Sequence, residues 1–440
     1  MTTRACRGWF AVVVLAAGCA GAAVGGETSK AAERTRSGFS FIVYGDSRSM
    51  MVLPDRADQE ADARKVMVDM FLLVLPEKTA RETVKKHVRL RYDPATNRLT
   101  EMVMPFMTAS EVTTLTFDQG WVTEASVEDV KLLPGVHRTM YRSDGAAWVA
   151  REVVQDVQRG RAQFVLHTGD LVWWGKQGAS PAENPYWKRV KQEVLEQLPP
   201  PDAEMRAAGL PGRMFPAPGN HETWYDPEAQ GFLAAFPYLK NLGISGQRLI
   251  YKFDFQGARF IFLWTGDYDT RAPTAWTATQ PPYEEQMRQL RQWLDEARAA
   301  GTRKVFVTFH TAPFSRSGMG GIPEPQNPHS VLAPYARDME IVVFNGHVHT
   351  TELYDLGGVK YLVLGGGGAE QDPILPGRTH LDVPASYPSD QYWKGEGPRE
   401  EYNYLVVDVQ PGQRTKFTLN RFRPQTAEPF ATLELYGSAH

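Results

Sequence analysis

Cysteine is nearly missing from this sequence. Only Cys6 and Cys19 occur in 440 residues, both close to the N-terminus, so the remainder of the chain has no disulfide framework. An excess of one charge is also missing. The net charge is −3, which gives no reason to expect a nucleic-acid partner. The one basic stretch, KKHVRLR at 85–91, could meet an anionic surface but reads as a solvated strand face. Beyond the N-terminus no run is long and apolar enough to cross a membrane. No internal repeat is present. The glycines at 365–368 are not followed by the lysine of a P-loop, so a tight turn is the better reading than a nucleotide cradle.

What is present is a core-building composition, 42% hydrophobic and 11% aromatic, in a length that suits one large α/β domain with an insertion. Arg4 and Arg7 precede an apolar stretch from Trp9 to Ala17 and then small residues. That order is the pattern of a secretory signal peptide, taken as residues 1–25. The expected location is therefore outside the cytoplasm, periplasmic or extracellular. The run LAAGC resembles a bacterial lipobox, with Ala16 where leucine is usual. A lipid anchor at Cys19 is one outcome, and cleavage near Ala20-Gly21-Ala22 is the preferred alternative. The oligomeric state cannot be read from the sequence.

Short runs rich in Val, Ile and Phe recur and close on glycine or a polar residue: FSFIVYGDS (39–47), AQFVLHTGD (162–170), MFPAPGNHE (214–222), RFIFLWTGD (259–267), KVFVTFH (304–310) and EIVVFNGH (340–347). The third is weaker because of its prolines. Between them lie helix-like segments, notably 281–301, where Met287, Leu290, Trp293, Leu294 and Ala297 recur at helical spacing and Gly301 supplies a stop. Near the end, EYNYLVVDVQPGQRTKFTLNRFR reads as a hairpin turning at Pro411-Gly412. Alternation of strand and helix predicts an α/β domain over 38–425. Residues 50–144 break the rhythm. They hold more than half of the 14 methionines and a hairpin-like VRLRYDPATNRLTEMVMP, and are read as an insertion or small subdomain. Its methionines could form an adaptable surface near a substrate or pack against the main domain.

The residues that end these runs share one chemistry. Asp46, Asp170, Asn220 with His221, His310, and His347 with His349 each follow or close a strand-like run. In open α/β sheets the ligand site lies at the carboxyl ends of the strands, so these residues would converge. A lone strand-end Asp is an ordinary cap or turn residue; five coincidences are not explained by capping. Two carboxylates, one amide oxygen and three imidazoles exceed the ligand set of one catalytic zinc. They suit two adjacent ions sharing a carboxylate, and mixed N/O ligation favours Zn, Mn or Fe over Mg or Ca. In extended chain, side chains two apart share a side; His347 and His349 would then serve one ion each.

Taken together, GD at 45–46, GD at 169–170, GNHE at 219–222, His310 and GHVH at 346–349 resemble the motif set of the calcineurin-like metallophosphoesterases, which include the purple acid phosphatases. The resemblance implies two packed mixed sheets flanked by helices, a four-layer sandwich, and hydrolysis of small phosphate esters at a binuclear metal centre. Phosphomonoesters are favoured over phosphodiesters; a non-hydrolytic metal- or phosphate-binding exported protein is the rival. It further implies Asp46, Asp170 and His349 around a first ion, and a bridging Asp170 with Asn220, His310 and His347 around a second. The nucleophile would be a metal-bound hydroxide. His221 would protonate the leaving group, with Glu222 or a nearby acid orienting it.

The chain departs from that set in two places. Many members have Asp-x-His in the first motif; here it is Asp46-Ser47-Arg48. Arginine does not ligate a metal, but its guanidinium could stabilise the phosphoryl group. Purple acid phosphatases have tyrosine where Trp173 stands, and Trp173 and Trp174 are either a substrate wall or core. His167 reads as a buried strand residue. His329 sits in a loop from which it could reach the site. His87, His137, His380 and His440 have no context to recommend them. DYDT at 267–270 resembles the aspartyl-nucleophile pattern but is followed by Arg271, so Asp267 is at most a strand-end residue near the site.

Overall fold

β-Branched and aromatic side chains fill a pleated surface well, and the runs rich in them are the strands. The computed structural model describes residues 38–435 apart from 73–74, 106–109, 178–179, 181, 266–280, 316–320, 323–325, 372–400 and 424–427. The signal-peptide segment with Cys19, and Asp267, His380 and His440, lie outside the described residues.

The first strand is β1 (Phe39–Tyr44), followed by β2 (Arg89–Tyr92), β3 (Leu99–Pro105), β4 (Glu111–Asp118), β5 (Trp121–Asp129) and β6 (His137–Arg142). Next come β7 (Phe164–His167), β8 (Met214–Pro216), β9 (Tyr251–Phe255), β10 (Ala258–Phe262) and β11 (Lys304–Thr311). The last are β12 (Glu340–Gly346), β13 (Thr351–Leu356), β14 (Val359–Leu364), β15 (Tyr402–Val409), β16 (Lys416–Arg423) and β17 (Glu428–Leu435).

Two six-stranded mixed sheets form the body, in the orders β17-β16-β15-β1-β7-β8 and β13-β14-β12-β11-β10-β9. Within the first, β1, β7 and β8 run parallel; within the second, β10, β11, β12 and β14 do. The sheets meet through phenylalanines. Phe41 of β1 sits edge-on to Phe260 at 5.3 Å and to Phe306 at 5.0 Å across the interface. Such pairs add about 0.5–1.5 kcal/mol each beyond area burial.

Helices cover the outer faces. In α3 (Ser143–Gln158), Trp148 packs on Phe422 of β16 at 5.2 Å and on Tyr404 of β15 at 5.8 Å. The helix Tyr283–Ala299 buries the five apolar residues its spacing singled out, and Arg259 of β10 donates to the Trp293 carbonyl at 2.6 Å. The order is helix, sheet, sheet, helix. The late hairpin joins β15 to β16 through Pro411-Gly412.

Residues 89–142 form a separate five-stranded antiparallel sheet, β2-β3-β4-β5-β6. The helices Glu60–Leu72 and Glu77–His87 precede it. Met50, Met51, Met67, Met102 and Met140 are buried, so these five pack rather than line a surface. The basic stretch is half helix: Lys85, Lys86 and His87 close the helix Glu77–His87, and only Arg89 and Arg91 project from a strand.

Candidate metal centre

All six expected metal-binding residues meet at the carboxyl edge of the parallel strands. Asp46 follows β1, Asp170 follows β7, Asn220 follows β8, His310 lies in β11, and His347 and His349 follow β12. Asp46, Asp170 and His347 have left-handed backbones, with φ of 53°, 59° and 69°. That conformation is uncommon outside glycine and clusters at functional sites. Here it turns each chain sharply as it leaves its strand. It also changes the reason that His347 and His349 serve different places. They lie beyond β12, so the strand alternation expected of them does not apply; the turn at His347 sends the two rings apart.

The glycines before these residues are there for space. A Cβ on Gly219 would come within 2.1 Å of Asp170 Oδ1, and one on Gly346 within 2.1 Å of Asp46 Oδ2.

Four donors close on one point. His310 Nε2 is 2.9 Å from Asn220 Oδ1 and 3.2 Å from Asp170 Oδ1. His347 Nδ1 is 3.2 Å from Asn220 Oδ1 and 3.3 Å from His310 Nε2. His310 Nδ1 lies 2.9 Å from the Thr168 carbonyl, so Nδ1 carries a proton, and Nε2 is the nitrogen that takes either a second proton or a metal ion. With Nε2 unprotonated, acceptor faces acceptor in a buried pocket, which is repulsive unless a proton or a metal ion lies among them. Nitrogen and oxygen ligands about 2.0–2.2 Å from a shared ion, at right angles, stand about 3.0 Å apart; the observed spacings agree. A backbone carbonyl behind a ligating imidazole is also how such a ring is held for a metal. These residues fit an ion.

The electrostatics point the same way. Burial would lower the His310 pKa, yet Asp170, Asp46 and Glu222 raise it to about 9. The pocket therefore asks for positive charge. His347 is pushed down to about 3 by burial and by His310, which leaves its nitrogen free to donate. Burial would raise Asp170, but His221, His310 and Arg48 hold it well below the usual carboxylate range. Burial raises Asp46, whose carboxylate accepts the His347 N–H at 3.0 Å.

Asp46, Asp170 and His349 form a second group whose ligand atoms lie within 4.8 Å of one another. It is looser: His349 Nε2 is 3.5 Å from Asp46 Oδ1. Arg48 reaches into it. The guanidinium Nη2 donates to His349 Nε2 at 3.2 Å and to Glu370 Oε1 at 3.0 Å, and Nε is 3.6 Å from Asp170 Oδ2. Its Cζ lies 4.4 Å over the Trp173 ring. Burial would lower its pKa, but Glu370, Asp170 and Asp46 more than offset that and keep it charged.

His221 is buried, its ring centroid 3.7 Å from that of Trp224 at a tilt of 41°. Its Nδ1 donates to the Trp173 carbonyl at 2.6 Å, and Nε2 faces Asp170 Oδ2 at 3.6 Å. Burial and Arg48 hold its pKa well below the usual imidazole value. Glu222 does not orient it, contrary to the sequence reading. On a single helical turn, neighbouring side chains point about 100° apart, and Glu222 turns back to accept N–H groups from Gly219, Asp170, Leu171 and Val172. The group that orients His221 is the Trp173 carbonyl.

Other expectations resolve plainly. Trp173 and Trp174 are buried; Trp173 backs Arg48, and Trp174 packs on Tyr225. His167 is buried, bonded to Ser47 Oγ at 2.9 Å and to the Gly169 N–H, and pushed down to about 3 by burial. His329 is held by the Tyr361 hydroxyl at 2.8 Å and is not among the converging donors. Sequence reasoning missed Glu370. The glycine run before it packs on the first motif, with Gly367 N–H bonded to the Gly45 carbonyl and Ala369 N–H to that of Asp46. Nothing in the run itself signals that contact.

Residues 136–351 match the family model described as calcineurin-like phosphoesterase. Over that span the chain carries a calcineurin-like phosphoesterase domain. A domain of that kind is a hydrolase that acts on phosphate esters with the help of metal. The match takes in Asp170, Asn220, His310, His347 and His349, and begins after Asp46 and Arg48. No curated protein matches the chain significantly. Among solved structures, a purple acid phosphatase from yellow lupin (Lupinus luteus) seeds is 13% identical at TM-score 0.45, with 75% of this chain and 60% of that one covered. This phosphoesterase thus spans less than two thirds of the lupin chain. A dimetal phosphatase from Danio rerio is 12% identical at TM-score 0.39, covering 91% and 99%. GAP50, the anchor in the inner membrane complex of Plasmodium, is 13% identical at TM-score 0.40, covering 67% and 85%. TM-scores under 0.5 leave these as distant likenesses.

Proposed function

We propose that this phosphoesterase acts on phosphate monoesters outside the cytoplasm. The observation that carries the reading is the pairing, in one buried pocket, of four converging donors with a charged arginine. Asp170, Asn220, His310 and His347 would hold an ion. Beside them, Arg48 keeps Nε and Nη1 buried without a hydrogen-bond partner among the described residues. A monoester dianion brings more negative charge and more peripheral oxygens than a diester, and a guanidinium meets such oxygens with paired N–H groups.

When bound, the ion supplies Lewis acidity to a phosphoryl oxygen and acidifies the water that attacks phosphorus. The chain's own groups do the rest. Thr168 and Asp170 orient His310. Arg48 takes charge that builds on the phosphoryl oxygens. His221 is fixed by the Trp173 carbonyl with Nε2 toward the pocket. A dianionic ester offsets the burial and the Arg48 charge that keep this ring neutral, so Nε2 takes up a proton and passes it to the leaving oxygen.

The test is hydrolysis of p-nitrophenyl phosphate and of its bis-ester by the purified chain, with metal content measured alongside. Faster turnover of the monoester is expected. Faster turnover of the bis-ester makes it a diesterase. No turnover of either at full metal content makes it a binding protein.

A further inference from the structure

The motif set implies two ions, and the two groups of donors are not equivalent here. In the group around Asn220, Asn220 Oδ1, His310 Nε2 and His347 Nδ1 lie 2.9–3.3 Å from one another and Asp170 Oδ1 lies 3.2 Å from His310 Nε2. The group of Asp46, Asp170 and His349 already has a cation reaching into it. Arg48 Nη2 is 3.2 Å from His349 Nε2. Arginine has only donors, so Nε2 pairs with it as an acceptor, in competition with Asp46, whose Oδ1 lies 3.5 Å from the same nitrogen. An imidazole nitrogen has one in-plane lone pair. Given to Arg48, it is not available to a metal.

Nor does the guanidinium lie there loosely. Arg48 is 4% exposed. Its backbone N–H donates to the Asp170 carbonyl at 3.0 Å. Trp173 covers one face of the guanidinium at 4.4 Å, and Glu370 accepts from Nη2 at 3.0 Å. Glu370 is itself positioned by backbone bonds from Gly367 to Gly45 and from Ala369 to Asp46. The arginine is built in from three sides, and it stands two residues after Asp46, where relatives often place a ligating histidine.

We infer that this centre binds one metal ion, at Asp170, Asn220, His310 and His347, and that the Arg48 guanidinium occupies the other ion's place as a permanent cation. Its Nε and Nη1, without hydrogen-bond partners among the described residues, although Nε lies 3.6 Å from Asp170 Oδ2, are then the groups that meet the phosphoryl oxygens. The inference rests on the metal-site reading above and narrows it.

The experiment is metal stoichiometry on the full chain. Protein stripped with chelator is loaded with Mn(II) to saturation, freed of excess, and assayed for ions per chain and by electron paramagnetic resonance. Wild type should hold one ion, with the spectrum of isolated Mn(II). Arg48→His should hold two, with the signal of a coupled pair. Arg48→Ala, which frees the same donors without adding one, should take a second ion at higher Mn(II). Arg48→Lys should stay at one. Two ions in saturated wild type would overturn the inference. So would a single ion in both Arg48→His and Arg48→Ala when both show the wild-type circular dichroism. Should neither variant fold, the wild-type count still decides. Failure of the functional reading looks different: one ion bound and no ester cleaved counts against monoester hydrolysis, whereas two ions with intact hydrolysis counts only against the single-ion centre.

Discussion

Replacing Glu222 tests how the centre is held together. One of its carboxylate oxygens accepts from Gly219 N–H at 2.6 Å and Asp170 N–H at 2.8 Å. The other accepts from Leu171 N–H at 2.8 Å and Val172 N–H at 3.3 Å. The side chain is fully buried. Burial and Asp170 push its pKa up to about 7, while the N–H groups of Gly219 and Asp170 pull the other way. Glu222→Gln keeps the shape but replaces one oxygen with an amide NH2, so two backbone N–H groups lose their acceptor and face a donor. A buried donor left unpaired costs about 1–3 kcal/mol, or about 2–6 kcal/mol for the pair. Some relaxation of the loop trims this, and about 3 kcal/mol is the expected loss. Set against a usual total of about 5–15 kcal/mol, that lowers the urea midpoint clearly while leaving a folded protein to assay. The two N–H pairs belong to the segments that carry Asp170 and Asn220, so metal affinity should fall with stability. Urea unfolding of the metal-free chain and a metal titration read the two effects. If Glu222 instead orients His221, the variant loses kcat at unchanged stability and metal affinity. Stability within about 0.5 kcal/mol of wild type, the range of an ordinary surface change, would refute the clamp.

His221→Ala should keep its metal and lose about 10²–10⁴-fold in turnover, the usual share of general acid catalysis; equal losses for p-nitrophenyl and alkyl phosphates would exclude the proton-donor role. His347→Ala should lose the bound ion and His349→Ala should keep it, by metal analysis after dialysis; loss from His349→Ala alone would reverse the assignment of the two rings. Gly219→Ala puts a methyl group within 2.1 Å of Asp170 Oδ1, so metal affinity should drop although the chain still folds; metal binding equal to wild type would show that the carboxylate is not needed where it stands.

The strands that carry the site were legible because each announces itself twice, as a β-branched and aromatic run and as a run that ends in a metal-binding group. That double signal holds for β1, β7, β11 and β12, more weakly for the proline-broken run of β8, and it survives the long segment between β1 and β7. The helix Tyr283–Ala299 was legible from spacing alone, since only one of its faces is buried. The five-stranded sheet at 89–142 was harder. Its strands are half-exposed, so only the hairpin of β2 and β3 stood out. The left-handed turns at Asp46, Asp170 and His347 could not be read. A glycine next door is compatible with many conformations, and the close contacts that require it come from other parts of the chain.

Arg48 shows where motif reading stops. As a letter, an arginine in place of a histidine looks like one ligand fewer and a weaker ion. Physically the exchange does two things: it removes a lone pair, and it adds a positive charge that no ordinary pH removes. A cation and a metal ion cannot both use the His349 Nε2 lone pair, so the substitution competes with the ion instead of merely loosening it. Which of them prevails depends on what holds the guanidinium in place. That support comes from Trp173, which the sequence offered as a substrate wall or core, and from Glu370, which follows a run read only as a turn. Neither has a local signal connecting it to residue 48. The connection exists only because the loop after β14 and the chain after β7 are both hydrogen-bonded to the loop after β1. A departure from a motif is therefore better judged by what surrounds the new side chain than by what the old one did.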